Sequence, residues 1–325
     1  MPRIAISWQA GKEQTERWTR YFEGLATVVD LAQLTPQGRV GALADTEILW
    51  SWNPERELSD VEYAHLDRLR LIQLISAGAD HLPFAKIAPK VTVASNVGAY
   101  SEPIAEHALA MTLALCKNLL PNHRRLMDGQ FNQAAQNRSI AGATVGIVGF
   151  GGIGQATARL MRQLGGRVMA INRSGKTDQA IEFIGTLDQL QHVLSASDIV
   201  VLALALTKVT RGLLGERELA WMKDDAILIN VARAALIDER AFYEHLKSHP
   251  HFSAGIDAWW VEPFVSGAFQ MNFPYATLPN LLGSPHNSPM VAGVIGRATE
   301  LAAANIRGFL TGETVRGILR REEYE

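Results

Sequence analysis

The stretch TVGIVGFGGIG, residues 144–154, decides the fold of this chain. Its first five residues are mostly β-branched and apolar, which predicts a buried strand. Gly149, Gly151 and Gly154 follow with the spacing GxGxxG, and the segment behind them, QATARLMRQLG, has the pattern of an amphipathic helix. A strand, a glycine-rich turn and a helix in this order predict the first βα unit of a dinucleotide-binding domain.

Each glycine of this turn has a physical task in such a domain. Gly149 permits the tight turn, Gly151 lets the backbone approach a pyrophosphate, and Gly154 lets the helix pack on the strand. The free N–H groups and positive dipole end of the helix then attract the phosphates. We therefore predict cofactor contacts from Gly149, Gly151, Gly152, Ile153 and Gly154. The alternative is a glycine-rich turn that binds no ligand.

The end of the next strand candidate, RVMAIN, indicates which dinucleotide is bound. An acidic residue at this place normally accepts bonds from the adenosine ribose and repels a 2′-phosphate. Here the chain reads Asn172, Arg173 and Ser174, with Lys176 close behind. A guanidinium and a hydroxyl are suitable partners for a phosphate. These residues predict NADP(H) as the preferred cofactor, with NAD(H) as the alternative if Arg173 is only a solvated loop residue.

The rest of the chain repeats the alternation of strands and helices, which predicts an α/β protein with parallel sheets. A length of 325 residues favours two domains. We predict a smaller, flavodoxin-like substrate domain at residues 1–100, completed by residues 289–325, and a Rossmann-type doubly wound domain at residues 101–288. Helices near 101–120 and 289–310 would be the hinges between them. The strand candidates are RIAISW, EILWSW, LRLIQLIS and VTVASN in the first domain, and TVGIVGF, RVMAIN, DIVVLALA, AILINVA, FSAGIDAW and LLGSP in the second.

Composition excludes several other classes of protein. The net charge of −2 provides no basic excess for a nucleic acid. The apolar run Ile199–Leu206 is too short to span a membrane, and the first residues do not resemble a signal peptide. We therefore expect a soluble, cytoplasmic protein with neither a nucleic-acid nor a membrane partner. The stretch HLKSHPH contains three histidines but no acidic or thiol partner, so no metal site is predicted.

Three later segments place reactive side chains just beyond predicted strands. Arg233 lies in NVARAALIDE, Asp257 and Glu262 lie in DAWWVEP, and His286 lies in SPH. With GFGGIG and ASNVGAYSEPIAEHALA, these motifs occur in the order typical of one family. Over most of its length the chain resembles the D-isomer-specific 2-hydroxyacid dehydrogenases, and in particular the glyoxylate and hydroxypyruvate reductases.

The resemblance implies a role for each of these side chains. Arg233 would bind the substrate carboxylate and polarise the carbonyl, a planar task for which lysine is a poor substitute. His286 would be the general acid in reduction and the base in oxidation. Glu262 would orient the imidazole and favour its charged form. Asp257 would accept a bond from the nicotinamide carboxamide.

The resemblance also implies contacts elsewhere in the chain. Backbone N–H groups of Ala77 and Gly78 would meet the substrate carboxylate. Trp52 is a candidate for the pocket wall, together with other aromatic residues, unless these rings only pack the domain interface. The segment VLALALTKVT lacks the proline that is common in the family, so its backbone beside the nicotinamide is expected to differ. The remaining predicted cofactor contacts are Leu204, Thr210, Val231, Ala232, His286 and Ser288.

The resemblance finally implies an activity and an assembly. We expect hydride transfer between NADP(H) and a small-molecule 2-keto or 2-hydroxy acid, such as glyoxylate, hydroxypyruvate or a bulkier acid. We also expect a homodimer that forms through the nucleotide-binding domain. One alternative is a formate- or phosphite-type dehydrogenase of the same superfamily. Formate enzymes typically have glutamine at the place of Glu262, which counts against it. A nucleotide-sensing, corepressor-like binding protein is the other alternative.

Overall fold

The computed structural model describes residues 1–325, including every side chain except that of Val265. The chain forms two compact units, one of Met1–Ala99 with Ala292–Glu325 and one of Tyr100–Val291. Each unit has its own sheet, and all strand pairs in both sheets are parallel. The predicted α/β class with two domains is therefore confirmed. Within the described residues, we find no helix with the length and apolarity needed to cross a membrane.

The strands and helices are numbered along the chain. The strands are β1 (Arg3–Ile6), β2 (Thr27–Asp30), β3 (Ile48–Ser51), β4 (Leu71–Leu74), β5 (Thr92–Ala94), β6 (Thr144–Val148), β7 (Arg167–Ile171), β8 (Phe183–Gly185), β9 (Ile199–Leu202), β10 (Ile227–Asn230), β11 (Ser253–Ile256) and β12 (Leu281–Gly283). The helices are α1 (Lys12–Tyr21), α2 (Pro36–Ala44), α3 (Pro54–Glu57), α4 (Asp60–Tyr63), α5 (Ser101–Cys116), α6 (Leu119–Met127), α7 (Gly152–Gln163), α8 (Leu190–Ala196), α9 (Glu216–Leu219), α10 (Glu239–Ser248), α11 (Pro263–Ser266) and α12 (Val294–Thr311).

The first unit is built on a five-stranded sheet in the order β2-β1-β3-β4-β5. This is the flavodoxin-like order of a doubly wound sheet, as predicted. The central strands β3 and β4 are buried along their whole length, which explains their continuous apolar sequences. Helix α12 packs against β4 of the same sheet.

The second unit is built on a seven-stranded sheet in the order β12-β11-β10-β9-β6-β7-β8. The chain leaves β6 to one side through β7 and β8, and it returns to the other side of β6 through β9 to β12. In open parallel sheets, ligands bind at the carboxyl ends of the strands, where the order reverses. The glycine-rich turn after β6 lies at that point.

The structure differs from the sequence-based expectations at a few elements. Strands β2 and β8 had not been predicted, because both are short edge strands with polar neighbours. Helix α5 begins after Tyr100, and no described side chain caps it. The helix expected at 101–120 ends at Cys116, where Asn118 adopts a left-handed backbone with φ of 48°. The last helix begins at Val294 rather than at residue 289.

Candidate active site

The sheet of the second unit brings the predicted reactive residues to one edge. β10, β11 and β12 are neighbours in this sheet, and parallel neighbours lie about 4.8 Å apart. Arg233 follows the end of β10 by three residues, Asp257 follows β11 directly, and His286 follows β12 by three residues. Their backbones therefore follow neighbouring strands at the same carboxyl edge as the glycine-rich turn, from which β9 separates them.

The glycine-rich turn fits a dinucleotide for reasons visible in its own packing. Gly149 has φ of 101°, and a Cβ there would lie 2.6 Å from backbone atoms of Ala203 and Leu204. A Cβ on Gly154 would lie 2.1 Å from the Gly149 carbonyl oxygen. A Cβ on Gly151, by contrast, would meet no described atom within 4 Å. The first and third glycines are thus required by the fold, whereas the space beside Gly151 is available to a ligand.

The start of α7 provides the groups that a pyrophosphate needs. Gly151 is the residue that caps this 12-residue helix, and no described side chain bonds to its first N–H groups. These N–H groups and the helix dipole attract an anion. Gly152 and Ile153 form the first turn, so the predicted contact residues fit the pyrophosphate of a nicotinamide dinucleotide.

The loop after β7 is organised by Asn172. Its Oδ1 accepts bonds from Ser174 N at 3.1 Å and from Gly175 N at 2.7 Å, and its Nδ2 donates to the Lys176 carbonyl at 2.8 Å. The amide is therefore occupied within the loop. Arg173, Ser174 and Lys176 are exposed around it, which leaves two cationic side chains and a hydroxyl beside the end of the strand.

His286 and Glu262 form a close hydrogen-bonded pair. The His286 Nδ1 lies 2.7 Å from Glu262 Oε2, and Glu262 Oε1 accepts a bond from Trp259 N at 2.6 Å. The Glu262 side chain is only 12% exposed, whereas that of His286 is 32% exposed. Because a carboxylate can only accept, the shared proton is assigned to Nδ1. The other ring nitrogen, Nε2, then remains to exchange a proton with a substrate.

Asp257 anchors the loop that carries His286. Its carboxylate accepts bonds from Ser284 Oγ at 2.5 Å, Asn287 N at 3.2 Å and Ser288 N at 3.1 Å. Burial alone would raise the pKa of Asp257, but the bonds from Ser284 and Ser288 outweigh it and hold this pKa below its ordinary value. The side chain is 1% exposed. Its contact with a nicotinamide carboxamide stays a prediction, and the structure adds the anchoring role.

His286 itself has an unusual backbone. Its φ is 52°, in the left-handed region that side chains other than glycine rarely adopt. Its N–H donates to the Asp257 carbonyl at 2.8 Å, and the two following N–H groups bind the Asp257 carboxylate. Such a conformation persists only where neighbouring contacts determine it, and it is concentrated at functional sites.

A second anchor, Asn230, holds the loop of Arg233. Asn230 ends β10 and is buried; its Nδ2 donates to the Arg233 carbonyl at 2.9 Å and its Oδ1 accepts from Ala232 N at 3.0 Å. Arg233 is half-buried, and its Nη1 donates to the Ala232 carbonyl at 2.9 Å. Val231 and Ala232 are buried beneath it. The anchor was not predicted, although a buried polar residue at a strand end is a recognisable signal for one.

The loop after β9 is closed by two threonines. Thr210 Oγ1 donates to the Ala205 carbonyl at 2.7 Å and accepts from Thr207 N at 2.8 Å. These bonds fix the loop without the proline that is common in the family, and they occupy the Thr210 hydroxyl. Leu204 lies next to Gly149, as the predicted cofactor contact requires.

The aromatic residues mostly pack within their own units. Trp50 is fully buried among Trp18, Phe22 and Trp8, so it does not line a pocket. Trp259 and Trp260 contact Tyr275 at ring distances of 5.9 and 6.0 Å. These rings form part of the interior of the second unit.

The predicted substrate-binding residues of the first unit lie in two ordered loops. The Trp52 carbonyl lies 3.2 Å from His81 Nε2, and Ser76 Oγ donates to the Gly78 carbonyl at 2.9 Å. Trp52, Ala77 and Gly78 are partly exposed. Their contact with a substrate stays a prediction.

Two histidines of the HLKSHPH stretch, His245 and His249, pack against each other, whereas His251 is exposed. His245 and His249 stack with ring centroids 4.1 Å apart, and burial together with the charge of His249 lowers the pKa of His245 to about 4. Among the side chains that the structure describes, no three His, Cys, Asp or Glu residues are placed to hold a metal ion.

Comparison with known proteins is consistent with this site. The family model for the NAD binding domain of the D-isomer specific 2-hydroxyacid dehydrogenases matches residues 109–288. The chain is 29% identical over 287 residues to a glyoxylate reductase of Thermococcus gammatolerans, covering 86% of this chain and 84% of that protein. It is 29% identical over 221 residues to a hydroxypyruvate reductase of Thermotoga maritima, covering 67% and 70%.

A solved structure resembles this chain over its whole length. A protein of Pyrobaculum aerophilum with the provisional name formate dehydrogenase is 28% identical, covers both chains completely and superposes with a TM-score of 0.83. The relatives and the family together indicate an oxidoreductase that acts on CH–OH groups with a nicotinamide cofactor. Since the family model matches more than half of its length, the chain belongs to the D-isomer specific 2-hydroxyacid dehydrogenase family.

Proposed function

We propose that the protein uses NADPH to reduce a 2-keto acid, such as glyoxylate, hydroxypyruvate or a bulkier acid, to the D-2-hydroxy acid. The observation that carries this proposal is the contact of His286 with Glu262 at the sheet edge that also carries Arg233. Reduction of a carbonyl beside a carboxylate requires a proton donor and a cation, and His286 and Arg233 are the proposed groups.

The proposed chemistry divides among three side chains. Arg233 binds the substrate carboxylate through two N–H groups and fixes the orientation of the keto carbon. His286 Nε2 gives a proton to the carbonyl oxygen as negative charge develops there. Glu262 stabilises the imidazolium form of His286 before the transfer and keeps its ring in place. The reduced nicotinamide, when bound, supplies the hydride.

The Glu262 carboxylate also distinguishes this reaction from formate oxidation. Formate carries its hydrogen on the carboxyl carbon, so its oxidation relays no hydroxyl proton and needs no charged imidazole. The Glu262 carboxylate, 2.7 Å from His286 Nδ1, instead fixes the ring so that Nε2 is left for proton transfer. This geometry supports the keto-acid reductase.

The preference for NADPH rests on the loop after β7. Arg173 and Lys176 provide positive charge, and Ser174 provides a hydroxyl, where a 2′-phosphate would lie. Asn172 holds the turn and, being neutral, does not repel a phosphate. In a charge-assisted contact, Arg173 is expected to contribute about 1.5–3 kcal/mol to NADPH binding.

The proposal includes a homodimer formed through the second unit. Four exposed apolar side chains lie on and just after α6: Leu119, Leu126, Met127 and Phe131, with exposures of 55, 48, 66 and 75%. We propose that they form an apolar patch that contacts the second subunit. Replacement of Met127 and Phe131 by glutamate should convert the dimer to a monomer in sedimentation velocity, whereas a wild-type monomer would contradict this part of the proposal.

The function is tested by initial rates in both directions. Glyoxylate, hydroxypyruvate and phenylpyruvate are each offered with NADPH and with NADH, and formate and phosphite are each offered with NADP⁺ and NAD⁺. We expect reduction of at least one keto acid and at least a tenfold preference for NADPH, which corresponds to about 1.4 kcal/mol. In R173A the preference should fall because NADPH binding alone is weakened. Equal losses with both cofactors would show that Arg173 does not bind the phosphate, and turnover of formate alone would overturn the reductase.

A further inference from the structure

A chain of polar side chains, of which Asp257 is buried and the other two are partly exposed, is connected to the loop of the proton donor. His107 Nε2 lies 2.9 Å from Ser284 Oγ, and this hydroxyl lies 2.5 Å from Asp257 Oδ1. The same oxygen of Asp257 is 3.8 Å from His107 Nε2. Asp257 then binds the two N–H groups that follow His286. His107 is thus connected through Ser284 and Asp257 to the N–H groups that follow His286.

The direction of the hydrogen bonds along this chain is determined by its members. The Asp257 carboxylate is ionised, since its pKa is held low, so it can only accept. Ser284 Oγ must therefore give its one proton to Asp257. Because that proton is used, the hydroxyl is an acceptor toward His107, whose Nε2 must carry the donated hydrogen.

The position of His107 follows from the packing of α5. Met111, one turn later on the same face of the helix, packs over Gly255 of β11, where an added Cβ would lie 3.2 Å from the Met111 Cβ. α5 contacts both β10 and β11. This packing places His107 over the carboxyl end of β11, where Asp257 begins the loop of the site. The helix that carries His107 is therefore fixed on the strands that carry the site.

Ser284 is also the point where the backbone of β12 is secured. Its N–H donates to the Ile256 carbonyl at 3.0 Å, and its carbonyl accepts from Trp259 Nε1 at 2.8 Å. The ring of Trp259 covers Gly283, where an added Cβ would lie 2.6 Å from it. With its backbone held on both sides, Ser284 can pass an effect from His107 to Asp257 only through its hydroxyl.

We propose that His107 is a positioning residue for the reduction. Its hydrogen bond to Ser284 orders the Asp257 carboxylate. Asp257 in turn holds His286 in its left-handed turn, where the ring meets Glu262. The inference rests on the proposed function for its kinetic readout only. A hydroxyl held by a donor keeps one orientation and gives its full hydrogen bond to Asp257. Without the donor it rotates, the anchor weakens, and the strained turn at His286 loses part of its support.

The test compares two substitutions of similar length. In H107Q the amide nitrogen can still donate to Ser284 Oγ, whereas in H107M the side chain reaches the same place without a donor. The matched control is H251M, an exposed histidine that precedes β11 at the opposite edge of the sheet. Thermal melts establish that each variant is folded, and H107Q keeps the comparison informative if H107M is unstable.

Two readouts separate positioning from a general loss of structure. The first readout does not depend on turnover. Long-range 1H–15N correlation spectra are recorded on histidine-labelled protein, and the His286 signals are identified by their loss in H286A. The ring-nitrogen shifts of His286 should move in H107M and in S284A, and they should stay near wild type in H107Q and H251M. The second is kinetic: kcat should fall about five- to tenfold in H107M, equivalent to about 1–1.4 kcal/mol, with the Kd of NADPH unchanged.

A double variant tests whether His107 acts through Ser284. S284A removes both the acceptor for His107 and the donor to Asp257, so H107M combined with S284A should resemble S284A alone. Additive losses, unchanged His286 shifts in H107M, or a loss confined to NADPH affinity would each overturn the proposal. If the wild type reduces no keto acid but the His286 shifts respond as described, the proposed function is wrong and the positioning role of His107 is still supported.

Discussion

Replacement of Gly151 by alanine separates binding of the cofactor from the stability of the fold. Gly151 has φ of −85° and ψ of −159°, values that alanine adopts without strain. A Cβ at this position meets no described atom within 4 Å. The free protein should therefore fold as well as the wild type. The new methyl group enters the space where the backbone is proposed to approach the pyrophosphate.

The loss of NADPH affinity in G151A depends on how far the bound phosphate can move away from the new methyl group. The N–H groups at the start of α7 attract it from a fixed position, so a methyl group beside them must push it outward. Forcing one carbon into such a contact costs about 1–3 kcal/mol. At about 1.4 kcal/mol for each factor of ten, the Kd for NADPH should rise roughly 5- to 150-fold.

Titration calorimetry with NADPH and thermal melts of the free protein are the assays. The matched control is G154A, whose Cβ would lie 2.1 Å from the Gly149 carbonyl oxygen. That variant should lose stability even without cofactor, because helix and strand must move apart. Wild-type affinity for NADPH in a folded G151A protein would refute the placement of the pyrophosphate at this turn.

Three further predictions concern the site and the interior. R233K should lower kcat/KM by about ten- to a hundredfold, since one ammonium cannot replace two parallel N–H donors toward a carboxylate. A loss below threefold in steady-state rates would contradict bidentate binding. D257N should lower the free energy of unfolding by about 1.5–3 kcal/mol, because a charged acceptor for three donors is lost, and urea unfolding at neutral pH would show it. The pKa of His245 is about 4 in the folded protein, against an ordinary value of 6.5. Between these two pH values the unfolded chain binds more protons than the folded chain. The free energy of unfolding should therefore fall as the pH decreases from about 6.5 to about 4. H245F should flatten the pH dependence of Tm in this window, and an unaltered profile would show that other groups cause it.

Much of the fold could be predicted because the central strands carry their own signal. Strands such as β6 and β10 are buried on both faces, so their sequences are continuous apolar runs bounded by turn residues. The edge strands β2 and β8 have mixed sequences of three or four residues and lack that signal.

The sequence predicts the candidate site as a set of residues, but it does not predict the contacts among them. The motifs placed Arg233, Glu262 and His286 at strand ends, and parallel strands gather such ends on one edge. The bond from His107 to Ser284 joins residues 177 positions apart, and no local pattern indicates it. The left-handed turn at His286 was equally unpredictable, because it depends on the Asp257 anchor rather than on the residue's own preference.

The most direct measurement compares wild type and H286A in the reduction of glyoxylate, hydroxypyruvate and phenylpyruvate by NADPH, with the Kd of NADPH determined for both proteins. We expect the wild type to reduce at least one of these acids. In H286A, kcat should fall by about 10²–10⁴, the usual contribution of a positioned general acid, while NADPH still binds. An unchanged kcat in H286A would remove this histidine from proton transfer. A wild type that binds NADPH but reduces none of the three acids would contradict the proposed substrate class.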